Sequence, residues 1–257
     1  ASLSETFASL VPGFIIISCY VAVYAVFHAF NTTFPGFIYG AMAPSFQAAD
    51  SLLFTVIMTL LVHFFWFFGI HDAALAGVLG PIRDGNLSIN AAAKAAGEAL
   101  PHVFTTPFWV YFVIIGGCGS LLALAILLVR SKSKQLKTLG RIFIGPSIFN
   151  INEPIMFGAP VVFNPLLMLP MWLNSIVGPA IVYIVMSLGW LNIPATLNQV
   201  GQVPVPVSTV MITQDMRGIL WAVVLFVVYF AIWYPFFKVF EKQKLAEEAQ
   251  ENAPSQN

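Results

Sequence analysis

Along the 257 residues, apolar and polar positions fall into long blocks, not into a short alternation. Five blocks, residues 11–30, 51–70, 107–129, 173–191 and 218–238, are apolar over about the 20 residues that a membrane-spanning helix needs. Two intervening stretches behave differently. Residues 72–106 are rich in Ala and Gly and carry Pro81 and Pro101; within them 90–100 predicts a short helix capped by Asn90, with Lys94 and Glu98 on one face. Residues 142–172 are longer than one span and strongly apolar, but Pro146, Pro154, Pro160, Pro165 and Pro170 interrupt them. An interior proline costs a helix about 3 kcal/mol or more, so half-helices and turns are expected here. Broken backbone is tolerated at membrane depth only where protein or a water-filled cavity covers it. The pattern therefore predicts an all-α polytopic membrane protein of about five transmembrane helices plus two opposed re-entrant hairpins. The hairpins would meet near the midplane, where transporters place substrate.

Composition strengthens the membrane assignment. The chain is 59% hydrophobic and 9% charged, against about 25% charged in soluble domains, and its mean hydropathy is +0.86. The zero net charge argues neither for nor against a nucleic-acid partner, and none is expected. The distribution of charge says more. Arg130, Lys132, Lys134, Lys137 and Arg141 form a basic loop, and Lys238, Lys242 and Lys244 follow the last apolar block. The positive-inside rule places both regions in the cytoplasm. The third and fifth spans then run inward, and the C-terminus is cytoplasmic. Residues 1–238 make the membrane-embedded part, and 239–257 a polar, frayed tail. Cys19 and Cys118 lie in apolar blocks and are expected as buried free thiols, and no signal peptide is read at the N-terminus.

The candidate chemistry lies in "FNINEPIMFGAP", residues 149–160. A carboxylate at membrane depth costs on the order of 2.5–3.5 kcal/mol on insertion scales. Glu153 precedes Pro154, so it is expected at the cap of a half-helix beginning there, where the helix dipole favours an anion. From that position Glu153 accepts hydrogen bonds from a neutral, hydroxyl-rich ligand, and Asn150 and Asn152 add donors and acceptors. The alternative is that Glu153 only caps the hairpin while the asparagines satisfy broken backbone. His71 closes the aromatic run "HFFWFFGIHD" and is either a second ligand contact or an interfacial histidine. Asp72 beside it either pairs with the imidazole or faces water. His63 is expected to pack, and Asn164 to turn the chain before Pro165. "IIGGCGS", residues 114–120, reads as a site of close helix packing inside the third span. No metal, nucleotide or other cofactor site is expected.

The segments "FWFFGIH" at 65–71, "SKSKQLKTLG" at 131–140, "FNINEPIMFGAPVVFNPLLMLP" at 149–170 and "YPFFKVFEKQ" at 234–243 resemble one family in order and content. It is the enzyme IIC membrane component of the bacterial sugar phosphotransferase system, lactose/cellobiose/diacetylchitobiose class. The resemblance implies ten transmembrane helices in a whole protein, a homodimer formed through an N-terminal half, and a sugar-binding C-terminal half to which this chain corresponds. It implies a bacterial cell-membrane permease that moves a disaccharide by an elevator-like shift. Phosphorylation would then come from a phosphocysteine on cytoplasmic enzyme IIB, itself supplied by IIA, so no catalytic residue is expected in this chain. His71 and Glu153 would bind the sugar hydroxyls, with Asn150 and Asn152 beside them. Two departures from the family pattern are visible: Asp72 stands where Gly usually follows the histidine, and "VPVPVST" at 203–209 lacks the usual Trp. An ion-coupled secondary transporter with Glu153 as proton carrier is the competing reading.

Overall fold

The computed structural model describes residues 3–33, 37, 50–159, 161–197, 201 and 203–251. The chain forms two compact units, Ala1–Gln47 and Ala48–Asn257. The first contains α1, Leu3–Ala29. From Leu10 on, all but Phe27 of its large apolar side chains, Phe14 and Tyr20 among them, are exposed. A helix that is apolar all round suits a lipid or protein environment on every side. Cys19 lies on it and is exposed, contrary to expectation, whereas Cys118 is buried; both thiols are free.

In the second unit every described element is a helix or a turn. Helix α2, Leu52–Phe67, begins where the Ser51 hydroxyl accepts the Phe54 N–H at 3.2 Å. Helix α3, Ala73–Ala96, runs without a break through Pro81 and ends at Gly97, whose φ of +73° closes it. The separate helix expected at 90–100 is absent. Asn90 lies inside α3 and is buried, and Lys94 donates to Gln214 in place of pairing with Glu98. Tertiary anchoring outweighs the local cost of Pro81: Leu79, Ile82, Asn86, Leu87 and Asn90 are all buried.

The third apolar block is not one helix. A turn at Thr106–Phe108 leads into a π-helical turn at Trp109–Val113. The chain then breaks at 114–120, where Gly116, Gly117, Gly119 and Ser120 all have positive φ, and α4, Leu121–Val129, follows. The broken backbone is satisfied by side chains. Trp233 and Asn174 donate to the Gly119 carbonyl, Tyr229 to that of Phe112, and Ser120 to that of Val113.

The rest of the unit is α5, Lys134–Ile148; α6, Glu153–Gly158; α7, Pro165–Ser187; α8, Val205–Thr213; and α9, Arg217–Glu251. Asn164 caps α7 as expected, its Oδ1 accepting the Leu166 and Leu167 N–H groups. Pro170 and Pro179 nevertheless lie inside that helix, so it starts well before residue 173. The tail is not frayed up to Glu251. Helix α9 continues into it and brings Glu241 and Glu248 onto the basic loop. Glu241 accepts from the Ser131 hydroxyl and the Lys132 N–H, both at 2.7 Å. Glu248 accepts from the Ser133 hydroxyl at 2.6 Å and the Gln135 N–H at 2.9 Å.

Among the described residues, three helices are long and apolar enough to cross a membrane: Leu10–Ala29, Pro165–Ser187 and Arg217–Gln250. Leu52–Phe67 is apolar but shorter. The core packs Trp66, Phe104, Phe112, Leu124, Tyr229 and Trp233, all essentially inaccessible to solvent.

Candidate functional site

The site is built where three chain breaks converge. Helix α2 ends at Phe67, and Gly69, with φ of +74°, turns the chain toward His71 and the start of α3. Helix α5 ends at Ile148, and residues 149–152 lead into the short helix α6. The broken backbone at 114–117 lies beneath that loop. At 1.5 Å rise per residue, α5 separates the loop from Ser133 in the basic segment by about 22 Å. Helix α3 separates His71 from Gly97 by about 36 Å. The site thus stands about 22 Å along α5 from the basic segment and about 36 Å along α3 from Gly97.

Asn150 bolts the loop down. It sits at φ +61°, its Oδ1 accepts the Gly116 N–H at 2.7 Å, and its Nδ2 donates to the Val110 carbonyl at 3.3 Å. Asn152 is packed onto Gly117: a Cβ at that glycine would lie 2.2 Å from the Asn152 Cβ. Gly117 also has φ of +93°, so both sterics and backbone call for glycine there. Asn152 Nδ2 is buried and has no hydrogen-bond partner. Glu153 is the first residue of α6, one position earlier than expected, and its Oε2 accepts the Asn152 N–H at 3.1 Å.

Across from it stands His71. Its Nε2 is 3.2 Å from Glu153 Oε1, and its ring lies 4.7 Å, centroid to centroid, from buried Trp66. The two side chains remain open, 49% and 45% exposed, whereas Asn150 and Asn152 are buried. The structure thus brings all four expected residues to one place with different environments. His71 and Glu153 form an accessible polar pair, and the asparagines lie beneath it. An accessible imidazole–carboxylate pair in an apolar setting suits a neutral polyol, which both donates and accepts hydrogen bonds. His63 is a core residue, as expected, with Nδ1 2.7 Å from the Thr59 carbonyl.

Sequence reasoning missed one contributor and left a second open. The glycines at 116–119 are a chain break that supports the loop, not a helix-packing patch. Asp72 pairs directly with the imidazole, Oδ1 lying 3.0 Å from His71 Nδ1. The clustering of three glycines in four residues was the available signal for the first; for Asp72, adjacency to His71 had already offered the pairing as one of two alternatives.

A family model described as "Phosphotransferase system, EIIC" matches residues 2–175. This chain belongs to that family. With its apolar helices, membership makes it an integral membrane protein. The EIIC chain is 32% identical over 265 residues to the oligo-beta-mannoside-specific EIIC component of Bacillus subtilis (strain 168), covering 100% of this chain and 60% of that protein. It is 38% identical over 203 residues to the cellobiose-specific EIIC component of Geobacillus stearothermophilus, covering 77% and 45%. It resembles the crystal structure of ChbC, the IIC component of the N,N'-diacetylchitobiose-specific system, with a TM-score of 0.77 and 33% identity over 95% of this chain and 58% of that one. The EIIC chain spans about three-fifths of the length of the first of these relatives.

Proposed function

We propose that this EIIC chain is the sugar-binding part of a bacterial phosphotransferase permease. It binds a disaccharide of the cellobiose, lactose or diacetylchitobiose type and carries it across the cell membrane for phosphorylation by cytoplasmic enzyme IIB, with IIA upstream. The observation that carries this reading is the open pair His71 Nε2–Glu153 Oε1 at 3.2 Å, held inside a membrane protein of this family. His71 and Glu153 bind sugar hydroxyls. Asn152 offers its unpartnered Nδ2 beside them, and Asn150 fixes the loop that presents them.

The reading extends to topology. Residues 1–238 form the membrane part with five spans and two opposed re-entrant hairpins, and 239–257 are cytoplasmic. The whole protein is a homodimer joined outside this chain. The clasp between the basic loop and α9 supports the orientation, because it brings the basic segments together on one side.

Uptake by the whole protein in membrane vesicles tests the function. Sugar phosphate is expected to accumulate only when IIB and the upstream phosphoryl carriers are present. Uptake of unmodified cellobiose that a protonophore collapses would replace this reading with ion-coupled transport.

A further inference from the structure

Helix α3 carries a cation outside the His71–Glu153 pair. Arg83 lies near its middle, eleven residues from Asp72, which is about three turns and puts the two on nearly the same face. Its Cα is about 16 Å along the axis from that of Asp72, and helical side chains lean toward the N-terminus, here toward His71. The guanidinium lies over the Trp109 ring, 5.1 Å from its centroid. Two lines of contact lead from Trp109 to the site. Its ring is 5.8 Å from that of His63, one turn before Trp66 on α2, and the Trp66 ring packs on His71 at 4.7 Å. The next residue, Val110, gives its carbonyl to Asn150 Nδ2. Arg83 is also electrostatically coupled to Asp72 and Cys118, and Cys118 to Glu153.

This cation is unspent. Its buried Nε has no hydrogen-bond partner, and among the described residues the guanidinium makes no hydrogen bond and no ion pair. By contrast Arg217, beyond the far end of α3, donates to Asp215, Gly189 and Asn192. An ionisable side chain inside a membrane protein is costly and ordinarily pairs with a partner. The indole face attracts the positive charge but accepts none of the five N–H groups in the way an oxygen does. Asn152 Nδ2, packed above Gly117, is a second buried donor without a partner. Donors are thus left over on the side of the site where the protein supplies no acceptor.

We propose that Arg83 is a further sugar contact, its guanidinium donating to oxygens on the second ring of a disaccharide whose first ring is held by His71 and Glu153. This rests on the proposed sugar-binding function. The Trp109 indole fixes the plane of the guanidinium fork, which leaves its donors aimed as a set. The site is then divided by charge. The Glu153 end accepts hydroxyl hydrogens, the Arg83 end donates to hydroxyl and ring oxygens, and a single ring satisfies only one of the two.

The test is calorimetric titration of the whole protein in nanodiscs, beside a melting curve, with Arg83→Met, Arg83→Lys and Glu153→Gln. Arg83→Met is expected to weaken cellobiose binding about tenfold or more, the scale of one hydrogen bond from a charged group. Its melting temperature is expected to hold or rise, because an apolar side chain of similar length replaces an unpaired charge. Glucose, a single ring read by displacement of cellobiose, should bind this variant nearly as well as the wild type, whereas Glu153→Gln weakens both sugars. Arg83→Lys keeps the charge but not the planar fork and should recover only part of the loss. Three results overturn the proposal: unchanged cellobiose affinity in Arg83→Met, an equal loss for glucose and cellobiose, or full affinity in Arg83→Lys, which would make Arg83 a counter-charge only. Weakened binding in Glu153→Gln beside unchanged binding in Arg83→Met removes this contact and leaves the proposed function standing. A wild type that binds none of cellobiose, lactose and diacetylchitobiose removes both.

Discussion

Two breaks between helices in the second unit are met by buried polar side chains, and the two use them differently. In residues 98–105 the side chains that meet the stretch are spent on its main chain, although the His102 Nδ1 has no hydrogen-bond partner. Asp50 Oδ1 accepts the Val103 and Phe104 N–H groups, both at 2.8 Å. Asn86 donates to the Phe104 carbonyl at 2.8 Å. Asn90 donates to the His102 and Pro194 carbonyls and accepts the His102 N–H at 3.0 Å. Residues 149–153 stay open. Asn150 is fully engaged, but Asn152 Nδ2 has no partner, and Glu153 with His71 faces solvent. A polar residue in apolar sequence is therefore no sign of a ligand site in itself. What marks the second stretch is an accessible imidazole and carboxylate beside the unpartnered Asn152 Nδ2.

Breaking the first stretch should give the largest effect. Asn90→Leu removes the partner of three backbone groups, each buried orphan costing about 1–3 kcal/mol, so a stability loss of about 3 kcal/mol or more is expected. Thermal unfolding in detergent measures it. Disaccharide affinity of the protein that remains folded should not change, because Asn90 lies about 25 Å along α3 from the site. A fall in affinity without a fall in melting temperature would erase the distinction between the two stretches.

Glu153→Gln should do the reverse and comes second in size. Disaccharide affinity should fall about ten- to hundredfold, the range for losing a hydrogen bond to a charged group, with the melting temperature nearly unchanged. Calorimetric titration beside a melting curve separates the outcomes. Normal binding by a readily unfolding variant would mean that Glu153 acts mainly through the Asn152 N–H that it accepts.

The smallest effect is expected outside both stretches. Glu248→Ala removes the acceptor of the Ser133 hydroxyl and the Gln135 N–H. Hydrogen exchange at the first turn of α5 should quicken while binding and melting hold. Unchanged exchange would show that Glu241 and the Ser133 cap suffice to hold the basic loop.

The sequence made the open stretch legible because a carboxylate stranded in apolar surroundings is costly wherever the chain goes. Glu153, His71 and both asparagines were identifiable on that ground and through the family pattern, and the start of α6 was missed by one residue. The supporting break at 114–120 was not legible. Ile114, Ile115, Cys118 and the glycines read as apolar on a hydropathy scale, and left-handed backbone leaves no trace in composition. Pro81 and Asn90 misled for a related reason. Each has a local meaning, break and cap, that tertiary contacts overrode once α3 found partners for its buried face. The polar tail looked unstructured because its helix is held by Ser131, Lys132 and Ser133, more than a hundred residues away in sequence.

The chain break at Gly116 and Gly117 has a consequence for how such a site can diverge. The ground on which the Asn-Glu-Pro loop rests is main chain, with the Asn152 side chain occupying the volume where Gly117 would carry a Cβ. Main chain cannot be exchanged one side chain at a time. Under the proposed sugar-binding function, single substitutions can reshape the exposed walls around the loop but not the main chain beneath it.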